Sequence, residues 1–146
     1  MRYFGLGTVP LLVLVAWTAQ GDDAAKDLKA LQGVWQLVEL EATKPVLEAD
    51  QIKKVKFTVT DDKLVMEGID GKREFALKLD PAQKPKAVDI TSLGGALKGK
   101  TTPGLYELNG DTFKLCMANG RIEQRPKELK ASAEGQVAVF VLKRAK

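Results

Sequence analysis

The chain contains no histidine, a single cysteine (Cys116) and few aromatic residues, 6% of the total. Each scarcity excludes something. Without His, no Ser-His-Asp or Cys-His nucleophile can be assembled, and neither zinc nor haem can be held through imidazole. One Cys cannot close an internal disulfide, so the fold must rest on its apolar core. Cys116, with no His to activate it, reads as a buried small hydrophobe. The one long apolar run, "VPLLVLVAW" near the N-terminus, falls short of the roughly 20 residues that cross a bilayer. No block of Lys and Arg alternates with aromatics, so the net charge of +4 does not describe a nucleic-acid surface, and no nucleic-acid partner is expected.

The apolar run belongs to a pattern of its own. Arg2 supplies a positive start, the run an apolar centre and Ala19-Gln20-Gly21 a small-x-small cleavage site, which is the grammar of an export signal. Residues 1–21 are expected to be removed, leaving a domain over residues 22–146 that is soluble in a periplasm or outside the cell. An uncleaved anchor is the competing reading, disfavoured by the run's length. No stable membrane insertion is expected after cleavage, and no Cys stands at the cleavage site to carry a lipid. The remaining chain, about 125 residues, suffices for one core. Its charge falls to about +3 once Arg2 leaves, spread over lysines that read as solvated strand faces.

Asp22 or Asp23 can cap a short helix from Ala24 to Gln32, with Leu28 and Leu31 on one side and Gly33 at its end. Beyond Gly33 the period becomes two. "VKFTVT" sets Val55, Phe57 and Val59 against Lys54, Lys56 and Thr58. "KLVMEGI" follows Asp61-Asp62, and "KREFALKLD" follows Asp70-Gly71, a dipeptide whose tolerance of positive φ marks a hairpin. "PKAVDIT" carries Val88 and Ile90, and "GLYEL" carries Tyr106 and Leu108. After the Asn109-Gly110 turn, "TFKLCMA" carries Phe113, Leu115 and Met117, and "QVAVFVLKR" is apolar on both faces. With Val34 to Glu41, these make eight strands in order; "EADQIKK" in the first link can form a helical turn. The expected fold is all-β: an eight-stranded antiparallel up-and-down barrel with a short N-terminal helix, strand one pairing with strand eight so that no edge remains. A two-sheet sandwich is the alternative.

Gly33-Val34-Trp35, at the mouth of the first strand after a short helix, resembles the Gly-x-Trp signature of lipocalins. The resemblance implies that Trp35 plugs the closed end of the barrel under a basic residue of the last strand. Lys143 and Arg144 lie where a closed barrel brings the end of that strand, and an Arg over an indole contributes roughly 0.5 to 2 kcal/mol. The chain also resembles a family of small exported, lipocalin-like domains common in planctomycete bacteria, of unknown function. That resemblance rests on "DLKALQGVWQLVELEATKPV" (Asp27 to Val46), "KLDPAQKPKAVDIT" (Lys78 to Thr91), "GKTTPGLYELNGDTFKLCMA" (Gly99 to Ala118) and "RPKEL" (Arg125 to Leu129). It implies a fold and no substrate.

"GGALKGKT", Gly94 to Thr101, satisfies G-x-x-x-x-G-K-[ST], the phosphate-binding loop of nucleotide hydrolases. That loop must deliver a helix at once. Here Thr102-Pro103-Gly104 and a period-two run follow, so the match reads as accidental, a flexible loop at the rim of the barrel that holds no nucleotide. Asp61-Asp62 and Asp22-Asp23 sit where Asp serves turns and caps. Glu107, Glu123 and Glu128 cannot be paired from sequence, and no spaced acidic loop with Gly supports calcium at Asp62. No metal, cofactor or catalytic residue is therefore expected. Arg125-Pro126, in the link between strands seven and eight, either clamps an anion or bonds to backbone carbonyls and fixes the loop, the reading preferred here.

Two functions from different classes fit. In one, the barrel binds a small apolar or amphipathic molecule through inward side chains such as Phe57, Met66, Phe75, Leu77, Tyr106 and Phe113, the Tyr hydroxyl serving as a polar handle. In the other, the core is solid and the domain is a cell-envelope or partner-binding module acting through surface loops carrying Lys44, Lys98 and Lys100. Eight-stranded barrels sit at the size where side chains either fill the interior or leave room for one ligand. Short strands and bulky inward residues push toward filling. Cavity volume separates the two, because ligand pockets run from roughly 300 Å³.

Overall fold

Alternating residues put every second side chain on one face of each strand, and in this chain eight such faces turn toward one axis. The computed structural model describes residues 23–43, 47–68, 71–118, 124–133 and 136–145. Residues 1–21, read above as an export signal, together with Asp22, Lys44, Asp70 and Glu123, lie outside the described residues. Helix α1 covers residues 23–31. It is followed by β1 (Gly33–Glu41), α2 (Ala49–Ile52), β2 (Lys56–Thr60), β3 (Lys63–Glu67), β4 (Lys72–Asp80), β5 (Ala87–Ser92), β6 (Thr101–Asn109), β7 (Thr112–Ala118) and β8 (Val137–Arg144). The strands form one closed antiparallel barrel in sequence order, and β1 pairs with β8 from Trp35↔Arg144 to Glu41↔Val139. Closure rules out the two-sheet sandwich. The "EADQIKK" segment does form a helical turn, α2, in which Glu48 N–H donates to Gln51 Oε1 at 2.8 Å.

The inward rows are Phe57 and Val59 of β2, Leu64 and Met66 of β3, Leu77 of β4, Val88 and Ile90 of β5, Tyr106 of β6, Phe113 and Leu115 of β7 and Leu142 of β8. With Leu31, Trp35, Leu37 and Val55 they form the main core. Strand β1 changes phase along its length. A bulge between Leu37 and Glu39 adds a residue, so Trp35, Leu37 and then Leu40 share the inward row, while Val38 turns outward.

A second core lies on the outside of the barrel. Leu105, Cys116, Ala118, Val137, Val139 and Val141 face outward from β6, β7 and β8, and Leu129 of the β7–β8 link packs over them. This explains a last strand that is apolar on both faces: one row fills the barrel and the other is roofed by the link. Cys116 is fully buried there, and burial pushes its thiol pKa up.

Candidate functional site

The two ends of the barrel differ. At one end α1 closes it, and the closure can be followed bond by bond. The last carbonyls of a helix have no partner inside the helix. Here Leu28 O accepts from Gln32 Nε2 at 3.0 Å, Lys29 O from Gln32 N at 3.2 Å, Ala30 O from Arg144 Nη2 at 2.7 Å and Leu31 O from Trp35 Nε1 at 2.9 Å. Arg144 Nη1 also donates to Gln32 O at 2.9 Å. The guanidinium lies over the Trp35 ring, 4.3 Å from its centroid, and the ring itself is wholly buried and edge-on to Phe113 at 5.5 Å. Gly33 has φ +116°, and a Cβ there would stand 3.4 Å from Arg144 Nη1. The positive φ, which L side chains rarely adopt, is what makes this turn out of the helix a glycine position. Gly33, Trp35 and Arg144 come together at this end of the barrel.

Tyr106 serves this closed end. Its hydroxyl donates to Asp27 Oδ2 of α1 at 2.7 Å, and Lys86 Nζ meets the same oxygen at 3.0 Å. Burial first, then the Asp27 hydrogen bond and the Asp27 and Asp80 charges, hold the phenol well above the usual tyrosine range. The expected polar handle for a ligand is thus already engaged by the helix. Phe113 packs against Trp35, Leu77 is buried in the main core, and Phe57 is fully buried with its ring 5.6 Å from that of Phe140. Of the six inward residues singled out from sequence, these four fill the barrel; Met66 and Phe75 reach open space.

That space is a pocket of about 690 Å³ at the other end. Its apolar lining comes from Leu40, Leu47, Met66, Phe75, Ile90, Met117 and Phe140; Thr102 and Ser92 add hydroxyls, and Lys72, Arg73, Glu74 and Lys100 stand in the lining as well. Residues 94–97 of the β5–β6 link form one side of it. This link is the Gly94 to Thr101 match, and it does lie at the rim. Its N–H groups turn back on the hairpin: Lys98 N donates to Gly95 O, Lys100 N to Leu97 O and Gly99 N to Ser92 O at 2.8 Å. Strand β6, not a helix, follows.

Leu40, Leu47, Arg73 and Phe140 were not selected from sequence. Phe140 and Arg73 sit in the inward rows of β8 and β4, so the alternation contained them. Which end of the barrel they occupy is a matter of register, and Leu40 needed the bulge. Arg125 resolves in favour of the loop. Its Nη1 donates to Val88 O at 3.1 Å and Gly104 O at 2.8 Å, and its Nη2 meets Asp89 Oδ1 at 2.6 Å, pinning the β7–β8 link across β5 and β6. Among the described residues no group of three His, Cys, Asp or Glu side chains is placed to hold a metal ion, and no helix is long and apolar enough to cross a membrane. No protein-family model, curated protein or solved structure matches the chain.

Proposed function

We propose that this protein is an exported, non-catalytic, lipocalin-like domain that takes one small apolar or amphipathic molecule into the open end of its barrel. The observation that carries the reading is the pocket of about 690 Å³ with an apolar wall, inside the roughly 300 to 1,000 Å³ range of small-molecule sites. The division of labour along the axis supports it. Trp35, Tyr106 and Phe113 fill and tie the closed half, while Met66 and Ile90 of the same core border the pocket. A solid-core module acting by its surface fits the closed half only. At about 30 Å³ per small heavy-atom unit, the pocket suits a ligand of about 20 heavy atoms. At about −0.3 kcal/mol per atom this gives about −6 kcal/mol, a Kd of tens of micromolar.

A neutral apolar dye, phenylnaphthylamine, tests the reading through the rise in its fluorescence on leaving water. Wild-type protein is expected to bind it saturably. Leu40→Trp, which fills the pocket from β1, is expected to abolish binding, and Val38→Trp, two residues away but outward-facing, to leave it intact. Equal binding by both variants refutes the pocket as the site.

A further inference from the structure

The β5–β6 link, residues 93–100, places apolar side chains in water. Among the described residues the exposed large hydrophobics are Val34, Val38, Leu93 and Leu97, and the two leucines, at 40% and 36%, share this one link. A single exposed leucine is ordinary, but two on one short link call for a reason. The link is well ordered by its own bonds. Leu93 N donates to Glu74 O at 2.9 Å, Ser92 N to Lys100 O at 3.0 Å and Ser92 Oγ to Gly94 O at 2.9 Å, while Gly95 and Gly99 turn the chain at positive φ. These bonds fix a corner that presents both leucines at the open rim.

Charge gathers at the same corner. From Ile90 to Tyr106 the sequence carries Lys98 and Lys100 and no Asp or Glu. Lys98 is exposed and Lys100 half-buried, and among the described residues no carboxylate pairs with either. Lys72, at the start of β4, is instead drawn to Glu67 at 3.4 Å. The acidic residues of α2, Glu48 and Asp50, belong to a helix that packs on β1, across the closed sheet from β5 and β6.

We propose that this link docks the open end of the barrel on an anionic phospholipid bilayer. Two part-exposed leucines offer far less area than the roughly 800 Å² per partner of a stable protein interface. A bilayer surface demands no matching shape: the leucines enter the headgroup boundary, and the two ammoniums remain among the lipid phosphates. Backbone groups already paired within the turn lower the cost of leaving water. The contact is peripheral and reversible, and it stands independently of any ligand in the pocket.

Cosedimentation of the full chain with vesicles of phosphatidylglycerol and phosphatidylcholine, mixed equally, and with vesicles of phosphatidylcholine alone tests this. The apolar run near the N-terminus is common to every variant, so differences between variants report the link. Wild type is expected to bind the mixed vesicles about tenfold to thirtyfold more tightly, about fivefold for each lysine, and the gap should narrow as salt is raised. Lys98→Gln and Lys100→Gln should each lower affinity about fivefold on mixed vesicles and leave it unchanged on phosphatidylcholine. Leu93→Ser and Leu97→Ser should each lower it about threefold to sevenfold on both, the worth of burying two-fifths of a leucine. Lys78→Gln, on the outer face of β4, and Val38→Ser, on the barrel wall, should change nothing. Link variants that bind mixed vesicles as wild type does, or a Lys78→Gln loss as large as that of Lys98→Gln, overturn the docking surface and leave the pocket standing.

Discussion

Replacing Arg144 by Met removes the guanidinium but keeps a side chain of similar reach over Trp35. What is lost can be read from the structure: hydrogen bonds to Ala30 O at 2.7 Å and Gln32 O at 2.9 Å, and a cation 4.3 Å from the indole centroid. The side chain is 35% exposed, so water replaces part of each hydrogen bond and about 1 kcal/mol apiece is the appropriate magnitude. The cation over the ring adds about 1 kcal/mol, and a positive charge at a helix C-terminus a few tenths more. The contact to Asp111, at 3.4 Å to a carboxylate 79% exposed, adds little. The total is about 3 kcal/mol. For a domain of this size each kcal/mol moves the melting temperature by about 3 °C, so Arg144→Met should melt about 10 °C lower by circular dichroism. Arg144→Lys, which keeps the charge without the fork, should recover about a third of the loss. Phenylnaphthylamine binding at the far end should not change in either variant. An Arg144→Met protein that melts within about 2 °C of wild type, or one that keeps its melting temperature and loses the ligand, refutes the view that this end is purely structural.

Trp35→Phe forfeits the indole N–H to Leu31 O and leaves unfilled volume against Phe113; a loss of about 2 to 3 kcal/mol is expected in urea unfolding, with ligand affinity unchanged. Arg125→Ala frees the β7–β8 link from β5 and β6, so buried Cys116 should react faster with a disulfide reagent, whereas an unaltered rate would show that Leu129 and its neighbours hold the link without Arg125. Tyr106 provides a pH test. Its folded pKa is raised, so its neutral form contributes full stability below the unfolded value of about 10, and that contribution is lost as pH rises further and the unfolded chain alone gives up its proton. Stability should therefore fall more steeply between pH 9 and 11 in wild type than in Tyr106→Phe; parallel curves would contradict the assignment.

Strand alternation, the turn dipeptides and the Gly33-Val34-Trp35 junction made the barrel, the order of its strands and its closed end legible, because each depends on residues close in sequence. Arg144 was legible too, since closing the barrel leaves the end of β8 only one neighbour for the start of β1. The rim position of Gly94 to Thr101 could be foreseen for the same reason: a link between adjacent antiparallel strands must lie at one end. The selection of ligand-facing residues fared differently. Phe57, Leu77, Tyr106 and Phe113 share the inward phase with Met66 and Phe75, and phase alone does not say how far along the axis a side chain lies.

By itself, then, the sequence determined which face of each strand meets the core, because a side-chain period of two is a local property of extended backbone. Only the tertiary structure decided which inward residues pack and which border open space. That choice depends on register between strands, on a bulge that brings Leu40 into the inward row, and on a helix that draws Tyr106 to Asp27 at one end and leaves the other open. These are relations among distant parts of the chain, and no window of neighbouring residues contains them.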